Sequence, residues 1–288
     1  MRKNWTEEDV SLMKQFYPTK GKAYCADLLG RTKETVGYKA NELGLTINKD
    51  ALYIILAKPR FDTALFKTNI TRESAYLLGL LWADGSIIFS NNSSKTPIIK
   101  HSCVDYDSNC FAKVFDKIGG WKRFASKNKK ATFYSGNSMV VNWVSQRDLG
   151  NYLIENSYRN KAQSPNKIIA TIPDALRHHF FRGFFDGDGC VTFQTRNKKY
   201  KAFSVYFTSC AEQDWFFIEQ LLNSLGITNK QRVCQLPLGQ NSQIYFSSNS
   251  YCLSFYDYLY VDSDGCRLER KYNKFQELLE YDKKYFKL

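Results

Sequence analysis

Two aspartates in this 288-residue chain close the same short motif, and their type and repetition suit metal-assisted chemistry. Asp84 ends the segment YLLGLLWAD and Asp188 ends the segment FFRGFFDGD, and a glycine follows each aspartate. A single Asp-Gly at a helix end is often only a turn signal. Its repetition 104 residues later, each time after a helical apolar run, indicates an internal repeat with a paired site.

Small residues in the two motifs predict that the helices carrying the aspartates pack side by side. Gly79 and Ala83 are four residues apart, as are Gly183 and Gly187, so each helix has a flat stripe on one face. Packing along these stripes would bring the two carboxylates together at the negative helix ends, where they repel each other. A divalent cation with oxygen ligands offsets such repulsion, and we expect Mg²⁺, or another ion such as Mn²⁺. Metal ions there would activate water and orient a phosphodiester.

The elements that follow each motif predict two similar α+β units. After Gly189, apolar residues alternate with polar ones on both sides of a basic turn at residues 196–201, which is typical of a hairpin with one buried and one polar face. In the second copy we then expect a helix at 214–225, strands at 232–236 and 243–247, and helices at 250–260 and 268–281. In the first copy we expect strands at 86–90 and 98–103, a helix at 108–118, strands at 122–126 and 132–136, and a helix at 139–147.

The composition favours an anionic partner and an intracellular protein. Net charge is +13, 43% of residues are hydrophobic, and no apolar stretch is long enough to cross a membrane. Nothing at the start resembles a leader, so we expect a cytoplasmic protein, prokaryotic or encoded by a phage. The eight cysteines form no Cys-x-x-Cys pair and there are three histidines, so zinc is disfavoured and buried free thiols are expected.

The first 46 residues predict three short helices. Thr6 caps the first, which Pro18 ends; Gly21 opens the second; Thr32 caps the third, and Gly44 closes it. Short helices joined by tight turns are typical of a helix-turn-helix unit. The pattern Trp5-Thr6-Glu7-Glu8-Asp9 followed by Leu29-Gly30-Arg31-Thr32 resembles the Myb-like DNA-binding family. A protein-interaction module of three helices is the alternative.

The two aspartate motifs resemble those of LAGLIDADG homing endonucleases in their single-chain, two-copy form. The resemblance covers roughly residues 70–285 and implies an α+β fold of two pseudo-symmetric αββαββα repeats with saddle-like antiparallel sheets. With the small all-α domain in front, the implied domains are 1–47 (Myb-like helix-turn-helix), 48–72 (connector), 73–165 (first repeat) and 166–288 (second repeat).

The resemblance also implies roles for particular residues. Asp84 and Asp188 would be the catalytic acids that bind metal, and Lys161 and Lys271 would be the basic residues beside the cut, just before the last helix of each repeat. Either lysine could instead be a solvated surface residue. Trp82 stands where the family often has an acid, and we expect it to be buried; its counterpart Asp186 is expected to be a structural or supporting carboxylate.

DNA contacts are expected from two places. The N-terminal unit offers Lys33, Tyr38 and Lys39. The polar faces of the hairpins offer Ser90, Lys95 and Lys100 in the first repeat, and Thr192, Gln194, Arg196, Lys198, Ser204 and Tyr206 in the second.

The two aspartates and the resemblance together predict a monomeric, site-specific endonuclease for double-stranded DNA with a long asymmetric target. The resemblance further implies that it cuts both strands and leaves short 3′ overhangs. The alternatives are a non-cleaving DNA-binding regulator and an RNA maturase that assists intron splicing. Because Trp82 and Ala83 precede one acid while Asp186 and Gly187 precede the other, we also hypothesise that the two strands are cut at unequal rates.

Overall fold

The computed structural model describes residues 4–48, 61–89, 96–126, 139–159, 161–196, 200–236 and 239–286. The chain divides into two compact units, Met1–Arg60 and Phe61–Leu288. In each unit the described residues have a hydrophobic core of their own.

The N-terminal unit is helical, and its helix caps at Thr6 and Thr32 and its break at Gly21 lie where the sequence predicts them. Helix α1 (Glu7–Leu29) begins with a capping box between Thr6 and Asp9. It is broken at Gly21, whose φ of 74° is left-handed, and not at Pro18, which lies inside the helix. The prediction that Pro18 ends the first helix was wrong, since proline has a helical φ and costs mainly one hydrogen bond in a last turn. Helix α2 (Lys33–Glu42) begins at the Thr32 cap.

The C-terminal unit contains two successive sets of helices and strands in the same order. The first set is α3 (Arg72–Asp84), β1 (Gly85–Phe89), β2 (Pro97–Val104), α4 (Asp105–Ile118), β3 (Lys122–Ser126), β4 (Met139–Ser145) and α5 (Arg147–Glu155). A short helix, α6 (Asn166–Thr171), connects it to the second set. The second set is α7 (Arg177–Asp188), β5 (Gly189–Arg196), β6 (Tyr200–Cys210), α8 (Phe216–Ser224), β7 (Lys230–Leu236), β8 (Gly239–Ser247), α9 (Asn249–Leu259) and α10 (Glu269–Phe286).

Each set forms one four-stranded antiparallel sheet, and the two sheets have matching topology. The strand orders are β1-β2-β4-β3 and β5-β6-β8-β7, so in both sheets the strand that follows the aspartate motif lies at an edge. This is the predicted α+β fold of two pseudo-symmetric repeats with antiparallel sheets, preceded by a small helical unit.

The first repeat differs from the predicted element order in one place. Residues 139–147 were expected to form a helix, but Met139–Ser145 is strand β4, and the helix follows it at Arg147. This prediction was wrong because the run MVVNWV is rich in β-branched and aromatic residues and pairs on both sides, with β2 and with β3. The strand expected at 132–136 lies outside the described residues.

The first residues of the C-terminal unit also contribute to its core. Phe61 and Phe66, which the sequence left in the connector, pack there as a stacked ring pair with centroids 5.4 Å apart. All eight cysteines are free; Cys25, Cys103, Cys252 and Cys266 are buried, whereas Cys210 is exposed. No helix in the described part of the chain is both long and apolar enough to cross a membrane.

Candidate active site

The two aspartates occupy matching positions at the last residues of α3 and α7. These helices pack with their backbones in direct contact along the predicted stripes. A Cβ added to Gly79 would lie 1.9 Å from the carbonyl oxygen of Phe180, and one added to Gly183 would lie 2.0 Å from that of Tyr76. Only glycine permits this approach, so the stripe sets the distance between the helices.

At the C-terminal end of the helix pair the small residues bring the two motifs together. A Cβ added to Gly187 would lie 2.3 Å from the Cβ of Ala83 and 3.2 Å from Oδ2 of Asp84. Asp84 and Asp188 line one cleft of about 430 Å³, together with residues from the ends of β2 and β6 and from the first turn of α4. The predicted juxtaposition of the carboxylates is therefore present in the structure.

The surroundings of the aspartates disfavour two negative charges. Asp84 is exposed and Asp188 is partly exposed, yet the protein packed around them withdraws much of their hydration. Burial, and then the charge of Asp84, raise the pKa of Asp188 to about 7. Burial also raises the pKa of Asp84, against the opposing effect of Lys271, Lys161 and Arg270. The raised pKa of both aspartates means that this environment disfavours having the two carboxylates ionised together.

Lys161 and Lys271 lie beside this pair in equivalent positions, and neither is a solvated surface residue. The Nζ of Lys161 donates to the carbonyl oxygens of Ala83 (2.7 Å) and Gly85 (2.8 Å). The Nζ of Lys271 donates to those of Phe185 (2.7 Å), Asp186 (2.8 Å) and Gly187 (3.3 Å). Each ammonium thus satisfies the open carbonyls at the end of an aspartate-bearing helix and opposes its negative dipole.

The two lysines differ in burial and in their place in the fold. Lys271 is buried, and this lowers its pKa to about 8, whereas Lys161 is partly exposed. Lys161 follows α5 and precedes the short helix α6, but Lys271 lies within the first turn of α10 and not before it.

Trp82, which departs from the family pattern, and its counterpart Asp186, which keeps the acid, are both buried. Trp82 meets Tyr158 edge to face, with ring centroids 5.5 Å apart, so it contributes to the core as expected. Oδ2 of Asp186 accepts hydrogen bonds from the Tyr76 hydroxyl (2.7 Å) and from the backbone N–H of Leu268 (2.8 Å). Asp186 therefore ties α7 to α3 and to the start of α10.

The polar face of the second sheet carries predicted contact residues and some that the sequence did not single out. Thr192 and Gln194 are exposed on β5; Ser204 and Tyr206 are partly exposed on β6. Tyr206 lies opposite Tyr245, and Thr208 lies opposite Gln243. Cross-strand register adds further residues to this face: Thr208, Lys230, Arg232, Gln243 and Tyr245. The residues on β7 and β8 were missed because their face is fixed by pairing: β8 pairs with β6, and β7 pairs with β8.

The first sheet has a more apolar exposed face. Lys100 of β2 lies beside Ser86 of β1 and Trp143 of β4, and Lys122 of β3 stacks on Trp143 at 4.5 Å. Ile88 and Phe124 are exposed on this sheet. Ser90, Lys95 and Lys198 lie outside the described residues, as does the side chain of Arg196.

In the N-terminal unit the predicted contact residues lie on α2. Lys33 is exposed and Tyr38 is 77% exposed, whereas Lys39 pairs with Glu42 at 2.6 Å and lies over Trp5. Arg31 joins the two halves of the motif, because it donates to Asp9 at 2.7 Å and stacks on Trp5 at 4.1 Å.

The donor set of the cleft suits a hard cation that keeps part of its own hydration. In the described part of the chain no cluster of three or more His, Cys, Asp or Glu side chains is placed to hold a metal ion. Asp84 and Asp188 are the two cleft carboxylates that the paired motifs bring together, whereas Asp186 is bonded to Tyr76 and Leu268, and Asp107 to Arg270. Mg²⁺ is commonly bound by one or two carboxylates with water and substrate phosphates completing the shell, so the pair fits this ion.

The fold and the site define a single-chain protein built from two repeats around a paired-carboxylate cleft. Residues 176–267, which cover most of the second repeat, match the family described as "LAGLIDADG-like domain". The first repeat has the same order of elements and the same motif. No curated protein matches the chain.

Several solved structures resemble the chain at low identity. The homing endonuclease I-WcaI, bound to its DNA recognition sequence, is 17% identical over 82% of this chain and 97% of its own, with a TM-score of 0.48. The I-LtrWI LAGLIDADG homing endonuclease, bound to target DNA, is 12% identical over 75% of this chain and 91% of its own, with a TM-score of 0.45. A mesophilic variant of the homing endonuclease I-DmoI is 15% identical over 67% and 98%, with a TM-score of 0.48.

Proposed function

We propose that this protein is a divalent-metal-dependent endonuclease that cuts both strands of double-stranded DNA at a specific site. The observation that carries the proposal is the pair Asp84 and Asp188, held together in one cleft by closely packed helices from two repeats. The match of residues 176–267 to the LAGLIDADG-like domain supports it, and solved structures of similar fold are homing endonucleases.

Asp84 and Asp188 would hold Mg²⁺, or another divalent cation such as Mn²⁺, against a DNA phosphate. When bound, the ion stabilises developing negative charge and makes water a better nucleophile. The pair is well suited to this because burial, and then the charge of Asp84, raise the pKa of Asp188, and a bound cation would favour the ionised form of both carboxylates.

The protein residues would position the reacting groups in a hydrolysis. A water oxygen forms a bond to phosphorus, the bond from phosphorus to the leaving sugar oxygen breaks, and that oxygen takes up a proton. Lys161 and Lys271 stay on the helix-end carbonyls, so their positive charge lies beside both carboxylates and favours charge on the phosphate oxygens. The resemblance of the two motifs to LAGLIDADG homing endonucleases implies that the products would carry short 3′ overhangs.

Binding to DNA would use both sheets and the N-terminal unit. The two sheets give pseudo-symmetric polar faces for two different half-sites, which suits a monomer on a long asymmetric target. Arg and Gln on the second sheet suit base edges, and the lysines suit phosphates. The N-terminal helices would lengthen the contact, through Lys33 and Tyr38 on α2.

A cleavage assay on selected DNA tests this function. A duplex enriched from a random-sequence library by binding in Ca²⁺ would be incubated with Mg²⁺ and the wild type, Asp84→Asn or Asp188→Asn. Asp257→Asn is the matched control, since Asp257 is an exposed aspartate on α9 outside the cleft. We expect the wild type and the control to cut both strands and each cleft variant to cut roughly a hundredfold more slowly or worse.

Three outcomes would contradict parts of the proposal. Tight binding by the wild type with no cutting would favour a DNA-binding regulator. Undiminished cutting by either Asn variant would remove that aspartate from the active site. Identical strand preference in the two single variants would refute the hypothesis that the strands are cut unequally.

A further inference from the structure

A charged contact between the repeats crosses the cleft that holds the aspartates. The Nε of Arg270, in the first turn of α10, donates to both carboxylate oxygens of Asp107, at 3.2 Å and 3.0 Å. Asp107 lies in the first turn of α4, and both residues line the cleft with Asp84 and Asp188. This ion pair is therefore within the space that a substrate phosphate would enter.

The arginine has binding capacity that the protein leaves unused. Its side chain is 52% exposed, and its bonds to Asp107 use Nε alone. Its Nη1 and Nη2 groups have no hydrogen-bond partner in the described part of the chain. The guanidinium is a rigid fork of donors whose geometry matches a phosphate, so these groups form a ready anion contact beside the carboxylates.

The N-terminal end of α4 partly stabilises Asp107 when the arginine leaves. The Asp107 side chain is 8% exposed and lies in the first turn of this helix, where the helix dipole favours a carboxylate. Arg270 is already half exposed to water, so its guanidinium loses little hydration when it turns from Asp107 to an incoming phosphate. The new phosphate contact must offset the rest of the cost of leaving the buried carboxylate without its partner.

Among the residues that the structure describes, the Arg270–Asp107 pair has no charged counterpart on the other side of the site. Lys161 and Lys271 occupy equivalent positions on the helix-end carbonyls, which aligns Arg270 with residue 160, an asparagine in the sequence. The segment before α8, which corresponds to the start of α4, is joined to the first repeat by uncharged bonds. The backbone N–H of Asp214 and Nε2 of Gln213 both donate to the carbonyl oxygen of Ala162, at 2.7 Å and 3.1 Å.

We propose that Arg270 is a phosphate-binding residue on one side of the cleft, held by Asp107 until DNA binds and then transferred to a backbone phosphate next to Asp84. This inference rests on the proposed function and deepens it, since it makes one half of the site more cationic than the other. The influence of Arg270 on Asp84 agrees with this placement. The strand whose phosphate meets Arg270 is then held more tightly than its partner.

Binding measurements test the exchange without requiring cleavage. Affinity for the duplex enriched in Ca²⁺ would be measured against salt concentration for the wild type, Arg270→Gln, Arg270→Lys and Asp107→Asn. Loss of one phosphate contact lowers the slope of log affinity against log salt by about 1. We expect this change and roughly tenfold weaker binding for Arg270→Gln, a preserved slope for Arg270→Lys, and binding at least as tight as wild type for Asp107→Asn.

Arg72→Gln is the matched control, because Arg72 also joins the repeats, through Asp262 at 2.8 Å, but does not line the cleft. It should leave the salt slope unchanged. A purely structural bridge predicts instead that Arg270→Gln and Asp107→Asn weaken binding equally, and that result would overturn the proposal, as would an unchanged slope for Arg270→Gln.

Cleavage gives a second readout that separates this inference from the proposed function. If the wild type cuts, Arg270→Gln should slow cutting of one strand more than the other, and equal slowing would overturn the one-sided role. If the wild type binds but does not cut, the proposed function fails, whereas a lowered salt slope in Arg270→Gln would still support the phosphate contact.

Discussion

At the scale of single residues, the main property of the aspartate pair is that the surrounding protein disfavours the ionised form of Asp188. Asp188 has a pKa of about 7 because burial and the nearby Asp84 both disfavour its ionised form, and the ammonium groups of Lys161 and Lys271 offset this only in part. A carboxylate in this condition binds a proton near neutral pH, and a metal ion must compete with that proton.

Metal binding should therefore depend on pH around neutrality. Below pH 7 each ion must displace a proton from Asp188, so we expect the apparent affinity for Mg²⁺ to fall about tenfold per pH unit, and to level off above pH 7. Titration calorimetry across this range measures it. In Asp84→Asn the repulsion is gone, so the midpoint should move to lower pH; an unmoved midpoint would contradict the coupling of the two acids.

The free energy of unfolding of the metal-free protein should also depend on the protonation of Asp188. It should fall as pH rises, whereas the affinity for Mg²⁺ should rise. The folded-state pKa of Asp188 is raised above its unfolded value, so the folded state binds the proton more tightly. Asp188 therefore contributes stability at low pH that is lost as pH rises from about 4 to about 7. Asp188→Asn removes this contribution to the pH dependence of unfolding measured in a chelator.

At the scale of elements, the approach of α3 and α7 depends on glycine. Gly183→Ala would place a methyl group 2.0 Å from the backbone carbonyl oxygen of Tyr76. Because this oxygen belongs to a helix backbone, it cannot move aside as the end of a flexible side chain could. We expect a loss of about 3 kcal/mol in the free energy of unfolding, measured with urea. Gly37→Ala in α2 is the control, because nothing lies within 4 Å of its added Cβ and its helix should gain stability slightly. A loss no larger than that of the control would contradict the close packing.

The inner faces of the two sheets are not equivalent, although their topologies are. His101 and Asn142 are opposite each other on β2 and β4 and are fully buried, where the second repeat has Phe207 and Ile244. Burial lowers the pKa of His101 to about 3, so it is neutral and packs against Phe111 and Phe115. The first repeat thus has a partly polar core face, which explains why its hairpin alternates less clearly in the sequence.

At the scale of the whole molecule, the two units have separate cores and different expected roles. We expect the C-terminal unit to bind and cut DNA, and the N-terminal unit to add to the binding. A chain that begins at Phe61 should keep its fold and its cutting activity, because among the described residues the core of that unit is built from Phe61 onward. We expect its dissociation constant for the selected duplex to rise roughly tenfold or more, since a tethered second contact is lost. Gel-shift titration measures this.

Substitutions in the complete chain provide the control for this deletion. Lys33→Ala combined with Tyr38→Ala keeps the helical unit but removes its exposed side chains, and should weaken binding in the same direction. Unchanged affinity in both proteins would show that the N-terminal unit takes no part in DNA binding and would favour a protein-interaction module.

Much of the fold follows from sequence features that act over short distances. The caps at Thr6 and Thr32, the break at Gly21 and the alternation after Gly189 could be read directly, because capping, backbone freedom and burial period are local properties. The strand Met139–Ser145 could not be assigned in this way. Its partners on both sides lie elsewhere in the chain, and pairing, not local preference, decides its form.

The repeated motif was enough to predict the paired aspartates, a metal-binding role for them and the small-residue stripes along which α3 and α7 pack. The contacts around the aspartates required the tertiary structure. Lys161 and Lys271 donate to the helix-end carbonyls and Arg270 donates to Asp107, and these bonds join residues between 76 and 163 positions apart. The stripes predict that the two helices touch, but the side chains that meet at their ends come from later elements, whose positions depend on how each repeat folds around its helix.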